Sequence, residues 1–439
     1  MFQTLKDLFS LKDIRKKILY TLLIIVLYRI GTYIVVPGVN KIAFNEAVGA
    51  SSNGLLSTIN IIAGGAFQRF SIFAMTISPY ITASIVLNLL QVVIPSLERL
   101  AKEGETGRQI LNKYTKYLTI AFAMVQAVGL YFTYKDYMLA PLKVGIGKPF
   151  GMILFVVSLT AGTSILMWLA DKITEYGIGN GVSVIIFTGI VSSAPSACAA
   201  LLAYAKLSVA KAIIVSALVI AMVIVVAGVV FVQQAERRVP VQYSKRVVGR
   251  KMVGAQSTHI PLKLAMAGVM PVIFASSFMT FPAMILQIFV KDIATQTGFL
   301  SAIYKFSLAT SSSSVGLGYS IANAIVYLLL IVGFTFFYTY ATFNPAEVAN
   351  NIKKNGGFIP GIRAGKPTTE YLSSIISKLT WFGGLFLSVI AILPMLLRFT
   401  NLNIAFGGTS ILIVVGVALE TVQQLESQLA MRHYKGFLE

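Results

Sequence analysis

Apolar residues in this chain come in long unbroken blocks separated by polar or basic connections. They do not alternate, and they are not confined to one helical face. About 20 apolar residues is the length an α-helix needs to cross the hydrocarbon core of a bilayer. Ten such blocks occur, near residues 18–36, 72–94, 117–134, 150–170, 182–203, 211–232, 264–290, 319–342, 379–397 and 404–420. They predict an all-α membrane fold with ten transmembrane helices. A shorter block at 55–67, of about 13 residues, stands just before the second span. Segments of that length are more often re-entrant or interfacial than spanning, and Gly64-Gly65 breaks it from the helix that follows. Either a helix folding back into the protein or one lying on lipid would satisfy this pattern.

Composition removes the soluble classes. Of 439 residues 56% are hydrophobic and 12% charged, half the charge of an ordinary globular domain. Such a chain cannot cover a water-facing body, which excludes an ordinary soluble enzyme. The first block follows Lys12, Arg15, Lys16 and Lys17 as a signal peptide would. It is too long for a typical signal core, and Val36-Pro37-Gly38 is no small-residue cleavage site. It is expected to be a retained span.

The charge is one-sided, with 36 Lys plus Arg against 16 Asp plus Glu. With the N-terminus inside, inner segments hold 25 of the basic residues and outer segments 10, with Arg29 inside the first span. That asymmetry predicts both termini in the cytoplasm. Two inner connections, 233–263 and 343–370, are long and basic. Membrane anchoring needs charge only near span ends. Much of theirs lies farther away, which favours a docking surface over simple anchoring.

The outer connection 204–210 divides the chain into an N-terminal half, 1–203, and a C-terminal half, 211–439. Five spans is an odd number, so similar halves would be oppositely oriented, and inverted repeats place a pathway at their interface. The halves share no convincing sequence identity.

Chemistry is missing where an enzyme or pump would need it. Spans two to ten carry no Asp, Glu, Lys, Arg or His in their interiors, whereas transporters place such groups at membrane depth. One Cys (Cys198) and two His (His259, His433) leave almost nothing for a metal cluster. No His-Glu-x-x-His occurs. Gly365-Lys366-Pro367-Thr368 lacks the spacing of a phosphate loop, and Gly177-Ile178-Gly179-Asn180-Gly181 reads as a tight turn into span five. No cofactor is expected, and work done through this chain must come from a partner. Ile77 and Ile81, and Val182 and Ile186, are pairs four apart that share a helix face. By periodicity alone, ordinary lipid-facing or packing aliphatics are the stronger reading of such pairs.

Several segments resemble one family. Ser71-Ile72-Phe73-Ala74 leading to Ser78-Pro79-Tyr80-Ile81-Thr82-Ala83-Ser84 is similar to the second span of the SecY family, the central subunits of the bacterial Sec translocase. So are Glu103-Gly104-Glu105-Thr106-Gly107-Arg108, Thr174-Glu175-Tyr176 with the glycine-rich turn after it, and Gln256-Ser257-Thr258-His259-Ile260-Pro261-Leu262-Lys263. Phe343-Asn344-Pro345, Phe358-Ile359-Pro360-Gly361-Ile362-Arg363 and Gly407-Gly408-Thr409-Ser410 complete the series in family order.

The resemblance implies a protein-conducting channel in the cytoplasmic (inner) membrane, hinged between spans five and six. It carries over a constriction ring of Ile77, Ile81, Val182, Ile186, Ile273 and Ile413, with Val182 in place of the more usual isoleucine. It makes 55–67 the plug, including Ile59, Asn60, Ile61, Ile62, Gly64, Gly65 and Phe67. The lateral gate would be lined by Thr82, Asn88, Gln126, Ser276 and Ser277, with Asn88 where glutamine is common. Arg363 would carry motor coupling. Arg238, Arg250 and Lys251, with Lys245, Arg246, Lys353 and Lys354 on the same basic loops, would meet a ribosome and the motor ATPase SecA. SecE, SecG, signal-bearing polypeptides and anionic lipids are the other implied partners. From architecture alone, a secondary transporter and a self-sufficient insertase are the alternatives.

Overall fold

The computed structural model describes residues 11–40, 44, 64–139, 147–243, 246–248, 251–253, 257–289, 298–309, 317–398 and 408–435. A long helix occupies each of the ten predicted places. These are α1 (Lys12–Gly31), α2 (Ser78–Val93), α4 (Glu105–Tyr134), α5 (Gly147–Tyr176) and α6 (Gly181–Ala205). The second five are α7 (Val209–Gln234), α8 (Met270–Phe289), α10 (Leu317–Thr342), α12 (Lys366–Arg398) and α13 (Gly408–Lys435). Among the described residues, three shorter α-helices intervene: α3 (Pro95–Lys102), α9 (Phe299–Leu308) and α11 (Pro345–Lys354). Among the described residues, seven helices are long and apolar enough to cross a membrane alone. An eighth span is added if α2 and α3, bent 102° apart, count together. The bend lies where Ile94, restricted by the following Pro95, takes an extended conformation.

Among the boundaries that differ from the hydropathy reading, three bear on the site. The second helix begins at Ser78, not 72. Residues 64–77 form turns, with Phe70 (φ 46°) and Thr76 (φ 52°) in the left-handed region, and helical geometry resumes where Pro79 supplies a pre-set φ. The seventh begins at Met270, not 264, after turns that include Gly268 at φ 59°. The first spans Lys12–Gly31, so Arg29 lies in its last turn and not mid-span. A cation there complements the helix dipole. After α1 the chain turns through 32–34, and Val35 bridges to Ser71.

The membrane part is all-α as expected, and the basic connections add a small sheet. Strand β1 (Glu236–Tyr243) pairs antiparallel with β4 (Ser257–Lys263), setting Val239 opposite Ile260. On its other edge β1 pairs with β5 (Gly357–Phe358). A separate hairpin joins β2 (Arg246–Val248) to β3 (Lys251–Val253). Val239, Val241 and Leu262 bury one face of the sheet against Ile352, Ile359, Leu372 and Ile376. The two long basic connections are therefore one folded body.

The first five long helices pack consecutively from α4 to α6, with α2 on α4 and α1 on α5 and α6; in the second five, α8, α10, α12 and α13 pack in series. The sets meet along two lines, α6 against α7 and α13, and α8 against α2 and α4. The outward faces are apolar: Leu19, Leu23, Val26 and Ile30 of α1 and Ile220, Val223, Ile224 and Phe231 of α7 are all exposed. So continuous an apolar surface is stable only in lipid.

Candidate functional site

Ile77 caps the start of α2, and Ile81 one turn on donates its backbone N–H to the Ile77 carbonyl at 3.0 Å. Val182 and Ile186 occupy the first two turns of α6. Their start is fixed by Asn180, whose side chain accepts from the backbone N–H groups of Val182 (3.0 Å) and Ser183 (3.4 Å). Ile273 lies in the first turn of α8 and Ile413 in the second turn of α13. All six belong to one apolar cluster. Ile77, Ile186, Ile273 and Ile413 are buried in it, and Ile81 and Val182 pack against it half-buried. The ring candidates, up to 336 residues apart in sequence (Ile77 to Ile413), thus share one cluster. Irregular backbone at membrane depth is tolerated only inside protein or along a cavity. The turns at 64–77 that lead into Ile77 meet that condition, with Ala66, Phe67, Phe70, Phe73 and Ala74 all buried.

The gate candidates lie along the second seam, where α8 faces α2 and α4. Ser276 donates to the Ile273 carbonyl at 2.8 Å, and Thr82 to Ser78 at 3.1 Å. Both hydroxyls serve their own helices, which leaves them compatible with an apolar neighbour. Ser277 is half-buried beside Ser276, and its carbonyl accepts from Thr280. Gln126 is buried on α4, and its Nε2 has no hydrogen-bond partner. Asn88 differs from these: its Nδ2 donates to the hydroxyl of Tyr338 on α10 at 3.1 Å. Along this seam α8 packs against both α2 and α4.

Of the plug candidates, Ile59, Asn60, Ile61 and Ile62 lie outside the described residues. Gly64 (φ 59°) and Gly65 (φ 83°) form a left-handed turn. Phe67 is buried among Phe44, Phe70 and Tyr134, with ring centroids 6.0–6.2 Å apart.

Among the docking candidates, Lys245 and Arg250 lie outside the described residues. Arg246 and Lys251 sit on the two strands of the hairpin, where Arg246 pairs with Val253 and Lys251 with Val248. Arg238, on the solvent side of β1, donates to Glu236 at 2.8 Å. Lys353 and Lys354 are exposed in the last turn of α11. Arg363 is exposed on a loop bracketed by Gly361 (φ 82°) and Gly365 (φ 108°), conformations that side-chain-bearing residues avoid. Its carbonyl accepts from the buried Thr368 hydroxyl at 2.9 Å. The loop is held and the guanidinium left outward. Among the described residues, no group of His, Cys, Asp or Glu could hold a metal ion.

The match to the SecY family model runs from residue 71 to 422. The chain belongs to the SecY family. It is 47% identical over 441 residues to the protein translocase subunit SecY of Streptomyces scabiei, covering 98% of each chain. A solved protein-conducting channel superposes with a TM-score of 0.66 at 21% identity, covering 94% of this chain and 92% of that one. Sec61 in the canine ribosome–channel complex superposes at 0.63 and 19% identity over 94% of this chain and 92% of its own. These likenesses in fold agree with a multi-pass membrane protein of the translocase type, which is a channel family and not an enzyme family.

Sequence reasoning missed Tyr338, the partner of Asn88, and Ser192, which meets Arg29. Neither carries a local signal, because each acts only through a helix distant in the chain. The sheet did carry one: Val239 and Val241, like Ile260 and Leu262, alternate with polar or proline positions at period two.

Proposed function

We propose that this chain is a passive protein-conducting channel, which moves signal-bearing polypeptides across the cytoplasmic membrane and releases apolar segments sideways into lipid. The observation that carries the reading is that six bulky aliphatic residues from four helices belong to one apolar cluster, on spans whose interiors carry no Asp, Glu, Lys, Arg or His. A constriction of that chemistry dewets when empty and so blocks ions, yet it offers no fixed partner that would trap a passing chain. A solute transporter would need polar or charged groups there.

The two seams give the ring a way to open. The side joined by the connection 204–210 serves as hinge, and the α2/α4–α8/α10 side as lateral gate, so the halves 1–203 and 211–439 swing apart around the ring. The segment 55–67 serves as plug beneath it. Both termini and the sheet-bearing body face the cytoplasm, in keeping with the charge asymmetry. The body's outward basic residues suit the phosphates of a ribosome and an acidic face of the SecA motor. Contacts to rRNA would weaken steeply with salt. SecE and SecG complete the complex, and anionic lipids meet the basic span ends.

The test is export into sealed vesicles that carry the chain with its partner subunits and motor. A precursor with an intact signal should become protease-protected, and the same precursor without its signal should not. Uptake of a small solute instead, with no precursor protected, would favour the transporter reading.

A further inference from the structure

Beside the ring candidates lies a cavity of about 350 Å³, walled by α13, the start of α6 and the turn before it. Asn180 and Ser183, on either side of Val182, line it from α6, and Val417, one turn past Ile413, lines it from α13. Glu420 is the one charged residue in its wall, and neither ring, gate nor basic body gives it a task. It follows Ile413 by seven residues, about 10 Å along the helix. That is the end of α13 which the charge asymmetry turns toward the cytoplasm.

The other polar groups of the wall serve the local backbone. Asn180 accepts from the first N–H groups of α6. Gln424 Oε1 accepts from the Gly179 N–H at 2.8 Å, and the Thr421 hydroxyl donates to the Val417 carbonyl at 2.7 Å. Glu420 is exposed, and among the described residues no Lys or Arg forms an ion pair with it. Lys263 lies within electrostatic reach, but its ammonium donates to Gln423 Oε1 at 2.7 Å. The carboxylate also faces the turn that leads into α8, where a Cβ on Gly268 (φ 59°) would stand 3.2 Å from Glu420 Oε1. The cavity thus presents one free anion, between elements of both halves, at the edge of the ring cluster.

An unpaired carboxylate calls for a cation with hydrogen-bond donors. One carboxylate is too few for a metal ion, which takes several anionic or carbonyl ligands. Ligand pockets start at about 300 Å³, so this one suits a single side chain and not a folded partner. Signals that route polypeptides carry Lys or Arg just ahead of an apolar run. We propose that Glu420 is a specificity-determining residue, and that its cavity is the subsite for one such basic side chain. This rests on the channel reading of the preceding subsection. With the basic residue held at Glu420, the apolar run that follows it lies at the ring and the proposed gate. The leading end of the signal is then retained on the cytoplasmic side.

The test uses the full complex with its partner subunits and motor in sealed vesicles. Three precursors differ only in the pair of residues before the apolar run: lysines, serines or glutamates. Protease protection of each is read for the parent chain, Glu420→Gln, Glu420→Lys and Glu426→Lys, the last an exposed acid farther along α13. Glu420→Gln should cut the export ratio of the lysine to the serine precursor about threefold, as expected for a solvent-accessible ion pair. Glu420→Lys should cut it about tenfold, since attraction becomes repulsion, and should raise the glutamate precursor relative to the lysine one. Glu426→Lys should leave the ratios unchanged.

A carboxylate at this place also complements the start of α8. A role confined to that would lower all three precursors alike, and such a uniform fall would overturn the subsite. Parental ratios in Glu420→Gln and Glu420→Lys would overturn it too. Should neither variant accumulate, the parent chain decides through a photo-crosslinking residue placed next to the lysine pair of a stalled precursor. Crosslinks to residues 420–424 support the subsite, and their absence while the precursor is engaged removes it. Failure of the parent to export any precursor would refute the channel reading itself, a result distinct from failure of the subsite.

Discussion

The side-chain amide of Asn88 on α2 reaches across the seam and donates to the Tyr338 hydroxyl on α10 at 3.1 Å. Tyr338 is held for this by Phe274 of α8, whose ring meets it edge-on at 5.1 Å. One hydrogen bond and one aromatic contact therefore draw together three helices at the proposed gate. A neutral hydrogen bond of this kind contributes about 1 kcal/mol. Tyr338→Phe keeps the ring and removes the bond, which should favour the open seam by roughly fivefold. The expected outcome is better export of a precursor whose signal has been made less apolar, with little change for a strong signal. The check is the ratio of the two export rates; an unchanged ratio counts against a gate role for this pair.

The ring should depend on apolar bulk at each position. Ile186 is buried in the central cluster, and burying an isoleucine is worth roughly 1.5–3 kcal/mol. Placing an amide there with Ile186→Asn should wet the constriction and raise resting ion conductance on the order of tenfold or more. Ile186→Leu should keep the seal. Bilayer conductance of the two variants separates a hydrophobic barrier from simple disruption.

Leu262 is fully buried where β4 meets the residues of the second basic connection. Leu262→Ala should cost about 2–5 kcal/mol of local stability. Because α10 and α12 extend from this body into the helical part, the loss should stay local. Limited proteolysis is expected to cut within 233–263 and 343–370 first, with the long helices still protected.

Arg363 projects from a loop whose backbone is fixed by Thr368 and shaped by two left-handed glycines. Arg363→Glu should leave the fold and membrane accumulation intact. Motor-driven export should fall roughly thirtyfold or more, as when a charge pair across an interface becomes a repulsion. Normal motor-driven export by this variant would remove Arg363 from the coupling surface and favour a chain that inserts proteins unaided.

The helices were legible because membrane spans are written locally, as apolar runs of set length. Their starts were less so. Hydropathy continues smoothly from Ser71 to Val93, and only the left-handed backbone at Phe70 and Thr76 delays α2 until Ser78. Pro79 was the available signal. The sheet was hidden by the charge on its own strands: Arg238 drew attention to docking, while Val239 and Val241 carried the period-two pattern. The ring positions followed from family resemblance, since spacing alone cannot assign Ile77 and Ile413 to one cluster. Asn88 with Tyr338, and Arg29 with Gly64 and Ser192, are pairings that only the packed helices reveal.

A photo-crosslinking residue at Ile81, in native membranes with a stalled signal-bearing nascent chain, tests the central claim most directly. Ile81 is half-buried against the cluster that forms the proposed constriction, whereas Val223 faces outward from α7. A crosslink to the nascent chain from position 81 but not from 223, lost when the signal is deleted, is the predicted result. No crosslink from 81 or 186, although the chain is engaged and ribosomes are bound, would contradict a polypeptide path through this ring.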